Sequence, residues 1–126
     1  MQANTLPSQS VTVIFQGGIN VHRLGQGGDD GSDFMANVAK TRAALPHATI
    51  VLSTWDTLAL PTEFDSADKL GIDQLILNPD PGGLPNIKFG YDAPNNVNRQ
   101  IISTQAGLNQ VSTEYALKLR TDSYLL

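Results

Sequence analysis

The chain has 126 residues, a formal charge of -4, 40% apolar and 16% charged residues, 11 glycines and 7 prolines, which predicts one domain in which long polar connections join a few buried elements. Its eight cations stand singly at positions 23, 40, 42, 69, 88, 99, 118 and 120, so the clustered positive charge that neutralises nucleic-acid phosphates is missing and nucleic acid is excluded as a partner. The absence of cysteine removes disulfides, zinc-thiolate sites and thiol nucleophiles.

Residues 1–10 read as a flexible leader. Met1 to Pro7 lacks both the basic and the apolar regions of a signal peptide, and no apolar run approaches the ~20 residues that span a bilayer. A cytoplasmic protein is expected, with peripheral association at the inner face of a membrane left open. Val11-Thr12-Val13-Ile14-Phe15 is β-branched and aromatic, a first strand closed by Gln16-Gly17-Gly18. From Ile19 to Gly31 the chain is rich in glycine and aspartate, without hydrophobic period, and reads as a mobile loop. Ser32 is placed as the N-cap of a helix from Asp33 to Leu45, with Phe34, Val38 and Leu45 on one face and Pro46 ending it.

Ala48 to Thr54 is a second strand, running into Trp55-Asp56. A short helix at most is expected over Thr62 to Leu70, with Phe64, Ala67 and Leu70 inward and Gly71 as C-cap. Gln74 to Asn78 is a third strand, stopped by Pro79-Asp80-Pro81-Gly82-Gly83. A long loop anchored by Phe89 and Tyr91 leads to a helix capped by Asn95 or Asn96, whose apolar stripe is Val97, Ile101, Leu108 and Val111 with Thr104 between. Tyr115 to Leu119 reads as a buried fourth strand that delivers Arg120-Thr121-Asp122.

This order predicts a three-layer α/β domain over residues 11–126 with a mainly parallel sheet in the order 3-2-1-4. The topological switch then lies between the first and fourth strands, and a ligand crevice is expected where Gln16-Gly17 meets Arg120-Thr121-Asp122. The apolar ending Tyr124-Leu125-Leu126 suggests the N-terminal part of a larger protein.

Several motifs are excluded by their central residues. Asp30 stands where a dinucleotide fingerprint beginning at Gly25 requires its third glycine. None of the four lysines follows a glycine, so there is no Walker A loop, and no Gly-x-Ser-x-Gly elbow occurs. His22 and His47 lack ligand-like spacing.

Five segments, Val13-Ile14-Phe15-Gln16-Gly17, Ile50 to Trp55, Asn78 to Gly82, Asn98 to Thr104 with Gly107-Leu108, and Tyr115 to Asp122, together resemble the WavE lipopolysaccharide-synthesis family. The resemblance implies a Rossmann-like, GT-A-type nucleotide-diphospho-sugar transferase half-domain. In that picture the ends of the first two strands hold base and ribose, and an acidic motif after the fourth holds a metal and the diphosphate. Here the usual Asp-x-Asp is Arg120-Thr121-Asp122. One carboxylate, Asp122, is then left for Mg²⁺ or Mn²⁺, helped by diphosphate oxygens and water. Alternatively Arg120 meets phosphate directly as a bidentate donor.

The candidate site residues are Gln16, Gly17, Thr54, Trp55, Asp56, Arg99, Arg120 and Asp122, with Asp122 as metal ligand. Each has a plainer reading. Gln16-Gly17 is also a strand-ending turn, Trp55 also a core residue, Arg99 also a surface ion pair with Asp92 or Glu114, and Asp122 also a solvated strand end. The expected function is sugar transfer from a nucleotide-sugar donor to a lipopolysaccharide or other surface glycan, the acceptor being a glycan or lipid-linked glycan. The rivals are a non-catalytic α/β interaction module and a nucleotidyltransferase, whose Gly-rich loop after the first strand carries a lysine or arginine, a role open to Arg23.

Overall fold

The computed structural model describes residues 7–81 and 97–126. Four strands, β1 (Val11–Gln16), β2 (Thr49–Trp55), β3 (Gln74–Asn78) and β4 (Tyr115–Arg120), form one sheet in the order β3-β2-β1-β4, and each neighbouring pair is parallel. The helices are α1 (Phe34–Ala44), α2 (Ala67–Leu70) and α3 (Val97–Leu108). The α/β class, the parallel pairing and the strand order match the sequence reading. The expected caps Asn95 and Asn96 and the anchors Phe89 and Tyr91 lie outside the described residues. Within the stretch read as a leader, Ser8–Ser10 forms a 3-10 turn, and the Ser8 hydroxyl accepts the His47 amide at 2.9 Å.

Alternation along β1 sends Val11, Val13 and Phe15 to one face of the sheet. There they meet Ile50 and Leu52 of β2, Phe34 and Val38 of α1, and Leu70 of α2 with Ile72 just beyond it, in one buried apolar cluster. The Phe15 and Phe34 rings meet edge to face, 5.2 Å between centroids at 86°, a geometry that adds about 0.5–1.5 kcal/mol to their area burial. The helix expected over Thr62 to Leu70 divides into a 3-10 turn, Thr62–Phe64, and the single turn of α2. Ser66 caps α2, and Gly71 closes it at φ +78°.

The opposite face carries α3, and it packs by small residues. Ser103 and Gly107 are buried, while Ile101 and Leu108 are 55% and 48% exposed. The long apolar members of the sequence stripe, Ile101 and Leu108, are therefore exposed, and only Thr104 between them is half-buried. The reason is steric: a Cβ on Gly107 would collide with Cγ2 of Ile14, so the helix lies close to the strands along its smallest side chains.

Two further expectations are corrected. Asp33, not Ser32, caps α1, its carboxylate accepting the Met35 amide at 3.0 Å. β4 is not a buried strand. Leu117 and Leu119 pack against the α1-side core, but Tyr115, Ala116, Lys118 and Arg120 are exposed. The alternation in Leu117-Lys118-Leu119 is that of a half-buried strand; among the described residues β4 pairs with β1 alone.

Candidate functional site

The crossover through α1 places β2 on one side of β1, and the later crossover through α3 places β4 on the other. A cleft of about 520 Å³ opens at the C-terminal ends of β1 and β4, on either side of this switch in strand order. Six of the eight predicted residues line it: Gln16, Gly17, Trp55, Arg99, Arg120 and Asp122. Thr54 and Asp56 do not. Thr54 is fully buried, and Asp56 is exposed away from the cleft.

Gln16 ends β1 almost fully buried, and its side-chain amide oxygen lies 2.9 Å from the Ser103 hydroxyl of α3, whose one proton it shares with Arg99 O at 2.8 Å. This contact ties the end of β1 to the helix. Gly17 adopts φ +117°, which glycine tolerates, and its amide donates to Ser53 O at 3.1 Å. That amide continues the sheet ladder, so Gly17 contributes the turn rather than a donor to a ligand. Trp55 is 7% exposed. It is chiefly a core residue and shows the cleft far less than a full ring face.

Arg99 stands in the first turn of α3, where the helix dipole disfavours a cation. A bidentate pair with Asp80, at 2.8 and 3.3 Å, holds it at the cleft. Its carboxylate partner among the described residues is thus Asp80 rather than Glu114, and Asp92 lies outside the described residues. Arg120 bonds Asp122 at 2.9 Å, and both side chains are more than half exposed. An exposed pair of this kind is worth about 0–1 kcal/mol, so a ligand can open it at small cost.

The two ends of the glycine-rich stretch, Ile19-Asn20 and Gly31, form a wall of this site, which sequence reasoning missed. Within the stretch, the Asp33 carboxylate accepts the amides of Gly25 (3.1 Å) and Gly27 (2.7 Å) as well as capping α1. Gly31 sits at φ +84° against the backbone carbonyl of Asp122, with no room for a Cβ. Asn37, fully buried on α1, donates to Gly31 O at 2.9 Å and to Thr121 O at 2.8 Å. Thr121 in turn donates to Gly18 O at 2.5 Å. Tyr124 closes the far side by donating to Asp29 O at 2.7 Å. At the rim, the Ser32 hydroxyl and then its amide hold the Asp30 carboxyl below its ordinary value of 3.8. The signal for this wall was an asparagine on an otherwise apolar helical face, since a buried amide must find partners.

Among the described residues no group of three His, Cys, Asp or Glu side chains could hold a metal. None of their helices is long and apolar enough to cross a membrane.

A family model described as WavE lipopolysaccharide synthesis matches residues 11–126, from the first residue of β1 onward. No curated protein and no solved structure matches at a significant level. The matched span contains the whole sheet and every residue of the cleft, and the chain belongs to the WavE lipopolysaccharide-synthesis family, lipopolysaccharide synthesis being the process it serves.

Proposed function

We propose that the cleft is the nucleotide-sugar donor site of a glycosyltransferase acting on a lipopolysaccharide or another lipid-linked surface glycan. The observation that carries this reading is the convergence of Arg99 and Arg120 on one cleft at the switch point of a parallel sheet. A cleft of about 520 Å³ falls within the ~300–1,000 Å³ of small-molecule sites, and two guanidinium groups suit a diphosphate.

In sugar transfer the bond from the anomeric carbon to the diphosphate oxygen breaks, and its electron pair stays on that oxygen. An acceptor hydroxyl oxygen bonds to the same carbon and gives up its proton. Negative charge grows on the leaving diphosphate, so cations fixed beside it stabilise the transition state more than the ground state. Arg120, released from Asp122, can meet phosphate through two N–H groups at once. Arg99 is held ready by Asp80, so it loses less freedom on binding.

Among the described residues Asp122 is the single carboxylate lining the cleft. A donor set of one carboxylate fits Mg²⁺ or Mn²⁺ that takes its other ligands from a diphosphate and water, and does not fit a cation held by protein groups alone. Bound there, such a cation would neutralise charge on the leaving group. The nucleotidyltransferase alternative needs a cation from the glycine-rich loop, but Arg23 does not line the cleft and instead donates to the Ser32 hydroxyl at 3.2 Å.

Calorimetric titration with UDP, GDP and CDP, each with and without Mg²⁺ or Mn²⁺, tests the reading. Saturable binding of at least one nucleotide, weakened in Arg120→Ala, is expected. No heat with any of them from a verified folded sample would sink it. Asp122→Asn binding with unchanged affinity and metal dependence would favour the non-catalytic module.

A further inference from the structure

Three backbone segments meet at the cleft: the turn after β1, the glycine-rich stretch before α1, and the turn after β4. Nothing in their sequences ties them together. In the fold they are joined by side chains that do not themselves line the pocket, or do so only in part.

Asn37 is the centre of the arrangement. It is fully buried on α1, and its amide nitrogen donates both of its hydrogens, one to Gly31 O (2.9 Å) and one to Thr121 O (2.8 Å). Both protons are committed, so this nitrogen can accept no further acceptor and the two carbonyls are fixed relative to α1. From Thr121 the chain of bonds continues through its hydroxyl to Gly18 O. Gly31 closes the circuit by van der Waals contact, because its Cα hydrogen faces the Asp122 carbonyl where any side chain would collide.

We infer that Asn37 is a positioning residue for the donor site: by joining the glycine-rich stretch to the Arg120-Thr121-Asp122 turn, it sets where the Arg120 guanidinium and the Asp122 carboxylate stand. The inference rests on the donor-site reading and adds the device that shapes that site. It also gives the stretch from Gly25 to Gly31 a role, that of holding Gly31 in the wall of the cleft. Asp33 holds one end of the stretch through Gly25 and Gly27, and Asn37 holds the other through Gly31. Two small, exposed groups on a strand-end turn would otherwise sample many directions, and a ligand would have to order them on binding.

Asn37→Ala removes both bonds, and Thr41→Val serves as its control. Thr41 lies one turn along the same helix, equally buried, and its hydroxyl accepts the Leu125 amide at 3.1 Å outside the cleft. Amide hydrogen exchange and nucleotide titration are read on both variants and on the unaltered chain, with UDP, GDP and CDP as probes. In Asn37→Ala, exchange should quicken together at residues 31–32 and 121–123, and affinity for the bound nucleotide should fall about tenfold or more, as expected when a preorganised site must be ordered by its ligand. Thr41→Val should keep affinity within about twofold, the scale of a site outside the binding surface. In the unaltered chain, nucleotide should protect both segments at once.

A folded Asn37→Ala chain with unaltered affinity overturns the inference. So does protection of the β4 turn by nucleotide without the glycine-rich stretch, a measurement on the unaltered chain that needs no variant to fold. If the unaltered chain binds none of the three nucleotides, the donor reading falls and the role given to Asn37 falls with it; binding that ignores Asn37 removes the inference alone.

Discussion

The two faces of the sheet are built by different means. On the α1 side, Phe15, Phe34, Val38, Ile50 and Leu52 form an apolar cluster closed to solvent. On the α3 side, a glycine backs onto Ile14, Ser103 of the helix meets Gln16 of β1, and within the sheet Asn78 of β3 donates to the Ser53 hydroxyl of β2 at 2.9 Å. The first face stabilises through buried area, which any side chains of similar shape can supply. The second depends on close approach and on matched polar partners, and it is the one that holds Gln16 and Arg99 at the cleft. The lesson is that polar pairing sets the cleft end of the sheet from both sides, through Ser103 on the α3 side and through Asn37 on the α1 side.

The largest effect should come from the apolar face. Phe15→Ala deletes a fully buried ring and its edge contact with Phe34, and a loss of about 3–5 kcal/mol is expected. Urea unfolding monitored by circular dichroism checks it; a loss below that of an ordinary surface change would erase the distinction between the faces.

Gly107→Ala should come next, at about 1–3 kcal/mol, because a single methyl overpacks the contact with Ile14. A double-mutant cycle sharpens this point. Ile14→Ala makes room for the new methyl, so the two changes together should cost less than their sum. Strict additivity would show that the helix does not rest on that contact.

Smaller again is Ser103→Ala, which removes the hydroxyl beside Gln16 and should cost about 1 kcal/mol. Its distinguishing mark is local: the Gln16 side-chain amide resonances should broaden or shift while those of the α1 face stay in place. Unshifted Gln16 signals would deny the polar link between β1 and α3.

Leu108→Gln should do least, within about 0.5 kcal/mol, because the side chain is nearly half exposed. A loss of several times that amount would restore the apolar stripe of α3 as the packing face.

Much of the architecture was legible in the sequence because strands and the α1 face follow rules of period. Short apolar runs, β-branched in the first two strands and alternating with Lys118 in the fourth, gave four strands within a residue or so of their observed limits, and right-handed crossovers left few orders for them. The residues at the strand ends, Gln16, Trp55, Arg120 and Asp122, followed from the general position of ligands in such sheets. α3 was misread because its packing face is marked by Ser103 and Gly107, small residues that carry no hydrophobic signal, while its longer apolar side chains face outward.

What the sequence determined by itself, then, is the set of elements, their parallel order and the edge at which a ligand would sit, since each depends on local pattern and chain connectivity. Tertiary structure alone decided which groups surround that edge. Asp80 reaches Arg99 across 19 positions and Asn37 reaches Thr121 across 84. Gly31 earns its glycine from a carbonyl far along the chain. No local pattern encodes such pairings, because a buried donor or a missing Cβ acquires its meaning from whatever the fold brings against it.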